Sequence, residues 1–564
     1  MDKILKVFNK GVFSREYGNV NQAALLLGFF AFLSQLLALF RDRFIAHFIG
    51  PSSSLDAYYA AFRVPDLIFI SIASLASITV IIPYLSAKME KGKITDVAHK
   101  FLNDVFTVFL AVMIFVSLIA FFLMPYLAPV IAPGFTPSMQ AKVVELSRIM
   151  LLSPILLGLS NLFGTTTQLF RRFFIYALSP VFYNVGIIVG VVFLYTVFGI
   201  SGLSFGVLLG ALLHFGIQAI AAHALGFAPR FSPSINFSDI KAVALTSLPR
   251  TFGLSVNSIA LISIISLASY LKSGSISIFN LSLNLQSVPL NIIGISYAVA
   301  AFPTLAKSMS LGRFDEFRNH LKEAARAIIF WSLPVTFLFI VLRAQIVRVI
   351  LGSGSFSWDH TRLVAASLAI FSVSVVAQGM IALLSRAYYA KGETKRPLLI
   401  NLFCSVLIII LSYVFIYLFQ NIPILRYFIE SLLKVSDIPG TEVLMLPLAY
   451  SAGTILNFIL HWFFVRRDFM QGESFITKVF FQSLGASFFL GLAAYLSLNI
   501  LSPIFGTITF WGIFLQGFIS GIIGIVSAIF VLYLLGNEQL KDFTNTLHTK
   551  FWRAKIVAPP QEEL

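Results

Sequence analysis

Residues 34–83 read SQLLALFRDRFIAHFIG (34–50), PSSSLDAYYAAFRVPDLIF (51–69) and ISIASLASITVIIP (70–83). Most of this stretch is apolar enough to lie in lipid. Yet Arg41, Asp42 and Arg43 interrupt the first run, and Asp56, Arg63 and Asp66 follow at the start of the second. A charged side chain at mid-bilayer costs about 2.5–3.5 kcal/mol, so such residues face a bundle interior or a wet cavity. A second stretch, from about Asn257 to Gly312, has the same layout without those charges.

The rest of the chain agrees with a membrane setting. Of 564 residues, 58% are hydrophobic and 11% charged, and the mean hydropathy is +0.90. Soluble domains carry about 25% charged residues. The formal charge of +16 would suggest a nucleic-acid partner in a soluble protein. Here it follows from basic cytoplasmic loops, and no nucleic acid is expected. Cys404 is the only cysteine, which excludes intrachain disulfides and multi-cysteine metal sites. Met1–Tyr17 is polar and basic, so a removable signal peptide is not expected and the first membrane helix would direct insertion.

About 20 mainly apolar residues span a bilayer, and on that rule roughly fourteen spans are expected. They centre near Leu33, Ser71, Ile114, Pro154, Gly186, Gly210, Leu261, Gly294, Pro334, Ser372, Leu407, Ile455, Phe488 and Gly521. Every second loop is basic, from Lys88, Lys91 and Lys93 through Arg171 and Arg172 to Arg466 and Arg467. Intervening loops such as Pro51–Leu55, Ala132–Met139 and Gly352–Asp359 carry almost no Lys or Arg. The alternation predicts cytoplasmic termini and an even number of spans.

The chain also repeats itself. Pro83 with Gly92-Lys93 matches Pro303 with Gly312-Arg313, a shift of 303 − 83 = 220 residues. Pro180 with Asn184 matches Pro397 with Asn401, a shift of 397 − 180 = 217. These shifts predict two pseudo-symmetric six-helix lobes, residues 20–226 and 239–468. The remaining segments are 1–19 at the N-terminus, a cytoplasmic linker at 227–238, two further helices in 469–536, and a cytoplasmic tail at 537–564. Parallel repeats commonly enclose a cargo site near mid-membrane. The sequence thus predicts an all-α polytopic transporter whose first two helices present charge to an anionic cargo.

Several pieces resemble the MurJ/MviN family, lipid II flippases of the multidrug/oligosaccharidyl-lipid/polysaccharide exporter superfamily. Ser34 with Arg41-Asp42, Phe48-Ile49-Gly50 and Leu55-Asp56-Ala57-Tyr58 look like the family's first two helices and their hairpin. Phe62-Arg63-Val64-Pro65-Asp66-Leu67 looks like its second-helix entry, and Asn284 through Pro289 to Phe302-Pro303 like its eighth helix. Ile346-Val347-Arg348 with Gly352–Phe356, and Tyr388 through Pro397, match two further family segments. The resemblance implies transport of a polyprenyl pyrophosphate-linked disaccharide-peptide across the bacterial cytoplasmic membrane, with membrane lipids around it; the energy source is open between the membrane potential and a coupling ion. It implies neither a cofactor nor enzyme activity. On family positions, Arg41 and Asp42 match the first-helix pair and Asp56 the acidic residue of the hairpin. Three family arginines fall instead on Gln35, on Phe69 or Ile70, and on Asn284, and a second-helix glutamate falls on Ser74. Arg43, Arg63 and Arg250 are the candidates to replace that charge.

Each candidate has a bland reading beside the functional one. Arg41 can hold a phosphate through paired hydrogen bonds, or it can stitch helices through Asp42 or Asp56. Asp42 partners Arg41 or couples an ion. Asp56 braces the hairpin or serves as a gate. Arg63 binds cargo or pairs with Asp66, three residues on. Asn284 and Gln286 are cavity groups or interhelical bonders. Glu145 and Arg148 read as a structural i, i+3 pair, and Arg343 and Arg348 as interfacial anchors. His214 and His461 stand alone, so no metal site is expected. No phosphate-binding glycine loop is present, which argues against ATP hydrolysis. The candidate set is therefore Arg41, Asp42, Arg63 and Asn284 for cargo and Asp56 for gating. The alternatives are an exporter of another polyprenyl-linked glycan, a drug exporter, a non-transporting scaffold, and a glycan polymerase using Asp437 in the insert 421–441.

Overall fold

The computed structural model describes residues 20–73, 81, 84–85, 88–90, 93–170, 172–227, 229–471, 476–506 and 509–547. Residues 1–19, Ser74, Pro83, Lys91, Gly92, Arg171, the Arg250 side chain and residues 548–564 lie outside that description.

The chain is a succession of helices. α1 is Val20–Phe48, α2 Ser53–Ala61, and α3 Arg63–Ile68, which a wide π turn continues over Phe69–Ala73. A two-residue ladder, Met89–Glu90 (β1) against Lys93–Ile94 (β2), precedes α4, Asp96–Ile131. Then come α5 (Pro137–Met150), α6 (Leu152–Leu169), α7 (Phe173–Val189), a π turn at Gly190–Leu194, α8 (Tyr195–Phe198), α9 (Ser201–Ala224) and α10 (Phe237–Ala268). α11 is Ser275–Pro289, followed by a π turn at Leu290–Ile295, α12 (Ser296–Ser310), α13 (Phe314–Val341), α14 (Arg343–Leu351), α15 (Trp358–Ser372) and α16 (Val375–Ala390). α17 (Lys395–Asn421), α18 (Pro423–Leu433), α19 (Met445–Asp468), α20 (Thr477–Phe505), α21 (Phe510–Leu534) and α22 (Glu538–Leu547) complete it. Side-chain caps start several of these helices: Ser52 Oγ accepts from Leu55 N–H, Thr95 Oγ1 from Ala98 N–H, and Thr509 Oγ1 from Gly512 N–H.

The all-α expectation holds, apart from that small ladder. Among the described residues ten helices are long and apolar enough to cross a membrane, and eleven if α15 and α16, bent by 42°, form one span. These eleven lie on predicted centres; the full fourteen are not reached. The segment at Leu33 lies in the 29-residue α1, where Arg41, Asp42 and Arg43 follow the apolar run, and the one at Leu261 lies in the 32-residue α10, with Ser255–Ala268 as its apolar stretch among the described residues. The one at Ser71 is broken into α2, α3 and a π turn before the description stops. The π turns at Phe69 and Leu290 are 290 − 69 = 221 residues apart, close to the spacing of the sequence repeat.

Two compact units emerge. The first comprises Met1–Val288, Val347–Phe371 and Glu393–Asn457. Within it α7 and α9 cross at glycines, where backbones approach closely. A Cβ on Gly186 would strike Gly210 Cα, and one on Gly190 would strike Gly206 Cα. The segment 227–238 is pinned to the start of α4: Arg230 N–H donates to Asn103 Oδ1 at 2.9 Å, Ser232 N–H to Thr107 Oγ1 at 2.9 Å, and Asn236 N–H to Asp104 Oδ2 at 3.0 Å. The insert after α17 is held by its polar side. Arg362 donates to both oxygens of Asp437, at 2.7 and 2.5 Å, and to the Lys434 carbonyl. That guanidinium keeps the Asp437 carboxyl below its usual range, so the candidate polymerase carboxylate is engaged in an ion pair.

The second unit comprises Pro289–Ile346, Ser372–Gly392 and Phe458–Leu564. Its core joins Phe317, Leu321 and Ile328 of α13 to Leu384 and Tyr388 of α16, Phe469, Leu490 of α20 and Leu532 of α21. Tyr388 Oη donates to Asp468 Oδ2 at 2.8 Å, and fully buried His461 meets Ser385 Oγ through Nε2 at 3.2 Å.

The glycine seam generates a test. Gly190→Leu forces a side chain against α9 and should destabilise by about 1–3 kcal/mol, as overpacking does. Thermal unfolding in detergent should show a lower midpoint than for Gly216→Leu, where a Cβ meets nothing within 4 Å.

Candidate functional site

The site begins with two neighbouring residues of α1. Adjacent helical positions point about 100° apart, so a pair at i, i+1 does not normally face itself. Here the long Arg41 side chain curls back: Nε donates to Asp42 Oδ1 at 3.0 Å and Nη2 to the same oxygen at 2.8 Å. Arg41 Nη1 reaches Asn184 Oδ1 on α7 at 3.3 Å. Asn184 is oriented in turn by its amide, which donates to Ser34 Oγ at 3.1 Å and to the Pro180 carbonyl at 3.2 Å. The second Asp42 oxygen accepts from Asn284 Nδ2 on α11 at 3.0 Å. Asp42 is 2% exposed, and the network gives each of its oxygens a partner.

These groups line a cavity of about 240 Å³ in the first unit. α1 contributes Arg41, Asp42 and Ile45; α2, α3 and the residue joining them contribute Tyr58, Tyr59, Phe62, Arg63 and Asp66; α7 contributes Tyr183 and Ile187; α11 contributes Asn280, Leu283 and Asn284. Arg63 Nη2 donates to Asn280 Oδ1 at 2.5 Å. Its Nε and the Tyr59 hydroxyl are buried without a hydrogen-bond partner among the described residues. Arg63 and Asp66 form no ion pair within 4 Å, so the local-pair reading of these two fails. Arg63 is turned toward α11 instead.

The structure therefore brings Arg41, Asp42, Arg63 and Asn284 to one cavity. Asp56 stands apart, at the start of α11. Its Oδ2 accepts from Gly274 N–H at 2.6 Å, and its Oδ1 accepts from Ser277 N–H at 2.7 Å and Ser277 Oγ at 2.6 Å. A carboxylate there satisfies orphan donors and meets the positive end of the helix dipole. Seven residues separate Ser277 from Asn284, about 10 Å along the helix axis. At the same end, Ser355 N–H donates to the His47 carbonyl at 2.9 Å. Arg43 Nη1 donates to the carbonyls of Val349 and Ile350 at 2.5 and 3.1 Å. Arg43 is thus a brace at the C-terminus of α14 and not a cavity group.

Other expectations need correction. Glu145 does not pair with Arg148; it holds Lys142 Nζ at 2.9 Å and Ser201 Oγ at 2.5 Å. Gln286 is 1% exposed with no hydrogen bond to its amide among the described residues, and it does not line the cavity. His214 Nδ1 meets Ser160 Oγ at 2.7 Å. Sequence reasoning passed over Asn184 as a site residue, along with Asn280 and the three tyrosines. The available signal was Asn184 itself, an amide alone in an apolar run four residues after Pro180.

A family model described as "Lipid II flippase MurJ" matches residues 45–515. The chain belongs to this family. The probable lipid II flippase MurJ of Rhizobium tropici is 26% identical over 379 residues, covering 65% of this chain and 70% of that protein. The lipid II flippase MurJ of Burkholderia cenocepacia is 24% identical over 407 residues, covering 71% and 78%. Among solved structures, a lipid II flippase MurJ in an inward closed conformation shares the fold with a TM-score of 0.69 at 21% identity, over 92% of this chain and all of that one. An inward-facing multidrug resistance MATE family transporter shares it with a TM-score of 0.62 at 17% identity, over 78% and 95%.

The Asp56 geometry makes a prediction. Asp56→Ala strands the amides of Gly274 and Ser277, and should cost about 2–4 kcal/mol. Asp56→Asn keeps an acceptor and should recover part of that. Thermal unfolding of both variants in detergent checks the order wild type, Asn, Ala.

Proposed function

We propose that this MurJ-family protein carries lipid II, a polyprenyl pyrophosphate-linked disaccharide-peptide, from the cytoplasmic to the outer leaflet of the bacterial inner membrane by alternating access. The observation that carries the reading is Arg41, held by Asp42 and Asn184 at a polar cavity among apolar helices. A guanidinium has five N–H donors in a fixed fork. Three are engaged here, which leaves two for a phosphate oxygen. Arg63 and Asn284 stand by as further head-group contacts. The polyprenyl tail stays in lipid, with α20 and α21 as its groove.

The charge balance sharpens this reading. The cavity holds two guanidiniums, Arg41 and Arg63, and two carboxylates, Asp42 and Asp66, so its lining is formally neutral. Cargo phosphate competes with Asp42 for Arg41 instead of meeting free positive charge. At about 240 Å³ the cavity is also below the roughly 300–1,000 Å³ usual for ligand sites. Loading therefore requires a wider state, and cargo must bind that state more tightly to shift the population.

The lobes 20–226 and 239–468 would open about a shared axis. In support, Arg63 meets Asn280 and Asp56 meets Gly274 and Ser277, at separations of 217, 218 and 221 residues, the span of the sequence repeat. Asp56 acts as the gate: its bonds to α11 close the outer mouth and break on opening. Both termini lie in the cytoplasm, as the basic loops require. Membrane potential or a coupling ion supplies the drive, the potential being worth about 2.3 kcal/mol per charge per 100 mV. The neutral lining, with Gln35 and Asn284 at family arginine positions, favours a second reading: another polyprenyl-linked glycan as cargo.

The test replaces the chromosomal copy with Arg41→Ala or Arg41→Lys and measures lipid-linked precursor in each leaflet. Arg41→Ala should raise the inner-leaflet pool about tenfold or more, with Arg41→Lys intermediate. An outer-leaflet rise would instead indicate failed polymerisation, and unchanged pools would indicate another cargo or a scaffold.

A further inference from the structure

α4 and α5 form an open groove that lies away from the cavity. It has a volume of about 640 Å³ and is walled by Phe121, Pro125, Ala141, Val144 and Ile149, with Glu145 and Arg148 on its α5 side. The position of Arg148 follows from Pro125. A proline has no N–H, so the Phe121 carbonyl one turn earlier loses its helical donor. Arg148 Nε supplies that donor at 3.1 Å, and its guanidinium stacks over the Phe121 ring at 4.6 Å. This fixes the plane of the guanidinium. Its Nη1 and Nη2 groups make no hydrogen bond or ion pair with any described residue. The neighbouring Glu145 does not neutralise it, because both carboxylate oxygens are taken by Lys142 and Ser201.

Depth identifies what faces the groove. Counted from Asp104, the last charged residue of α4, twenty residues at 1.5 Å each reach about 30 Å near Met124. Phe121 and Pro125 thus lie at the far edge of the hydrocarbon layer from the basic loop at 88–100. Tyr126, at 74% exposure, sits where aromatic side chains mark the membrane interface. Glu145 and Arg148 of α5 stand beside Phe121 and Pro125 at that edge, the depth of lipid head groups. Leu118 and Phe122 of α4 and Leu152, the first residue of α6, are exposed apolar side chains.

The geometry points to a site for one phosphate-bearing diacyl lipid of the outer leaflet: its phosphate accepts from the Arg148 Nη groups, and an acyl chain runs over Val144, Phe121 and Leu118. Charge-assisted bonds from a stacked, pre-oriented guanidinium to phosphate supply the selectivity, and apolar contact supplies the rest. The site is independent of the cargo cavity, so its failure would leave the transport reading untouched.

The experiment uses full-length protein, delipidated in detergent and titrated with phosphatidylglycerol or with a phosphate-free monoglucosyl-diacylglycerol, with bound lipid counted by native mass spectrometry. Arg148→Ala alone would leave the Phe121 carbonyl bare. Pro125→Ala restores its helical donor, so the comparison is between Pro125→Ala and the double variant Pro125→Ala/Arg148→Ala. The double variant should bind phosphatidylglycerol about tenfold more weakly than Pro125→Ala, with the glucolipid unchanged. Val144→Trp, which fills the groove, should abolish the tightest phosphatidylglycerol site. Equal phosphatidylglycerol affinity in the two proline variants, an equal loss for the glucolipid, or no saturable site in the wild type would each overturn the proposal.

Discussion

Everything at the centre of this molecule turns on placing an arginine and an aspartate side by side in an apolar helix. Neither ion is tolerable alone in such surroundings. Their positions on α1 do not face each other, so the pair exists only because Arg41 bends across to Asp42. The remaining valences must then be met from elsewhere. Asn184 on α7 accepts from the free arm of Arg41, and Asn284 on α11 donates to the free oxygen of Asp42. Two amides thus convert a local ion pair into a tie among three helices. Amides suit the task, since each offers both a donor and an acceptor without adding charge.

The cavity that results is balanced, not cationic. Asp66 offsets Arg63 in charge while leaving it geometrically free to reach Asn280. A site of this kind can hold its own ions in the absence of cargo and exchange partners when an anion arrives. That is a different solution from a cluster of arginines, whose mutual repulsion must be offset continually by bound anions or solvent. It is consistent with Gln35 and Asn284 standing where the family resemblance expects arginine.

Much of the fold was legible in the chain. Length and apolarity marked the spanning helices, because lipid leaves the backbone no alternative to internal hydrogen bonds. Intramembrane charge marked Arg41, Asp42 and Arg63, because burial of charge demands a reason. What stayed hidden shares one property: the partner is a main-chain group or a lone amide. Arg43 binds two carbonyls of α14, Arg148 binds the Phe121 carbonyl released by Pro125, 148 − 125 = 23 residues before the arginine, and Asp56 binds two amides at the start of α11. No side-chain letter announces such partners. The expected pairs Glu145–Arg148 and Arg63–Asp66 failed for the same reason, since spacing on one helix says nothing about a better acceptor on the next.

The contact of Asp56 with α11 has an evolutionary corollary. Two of its three bonds go to backbone N–H groups, which every residue except proline provides. Position 277 can therefore change its side chain while its amide bond persists, provided no proline enters, whereas Gly274, at φ +93° with Pro51 at 3.2 Å from where a Cβ would sit, is held to glycine by its backbone. Covariation between 56 and those positions would be nearly silent, although the contact is close. A relative that had lost the acid would betray the change through altered local geometry, not through a compensating substitution opposite.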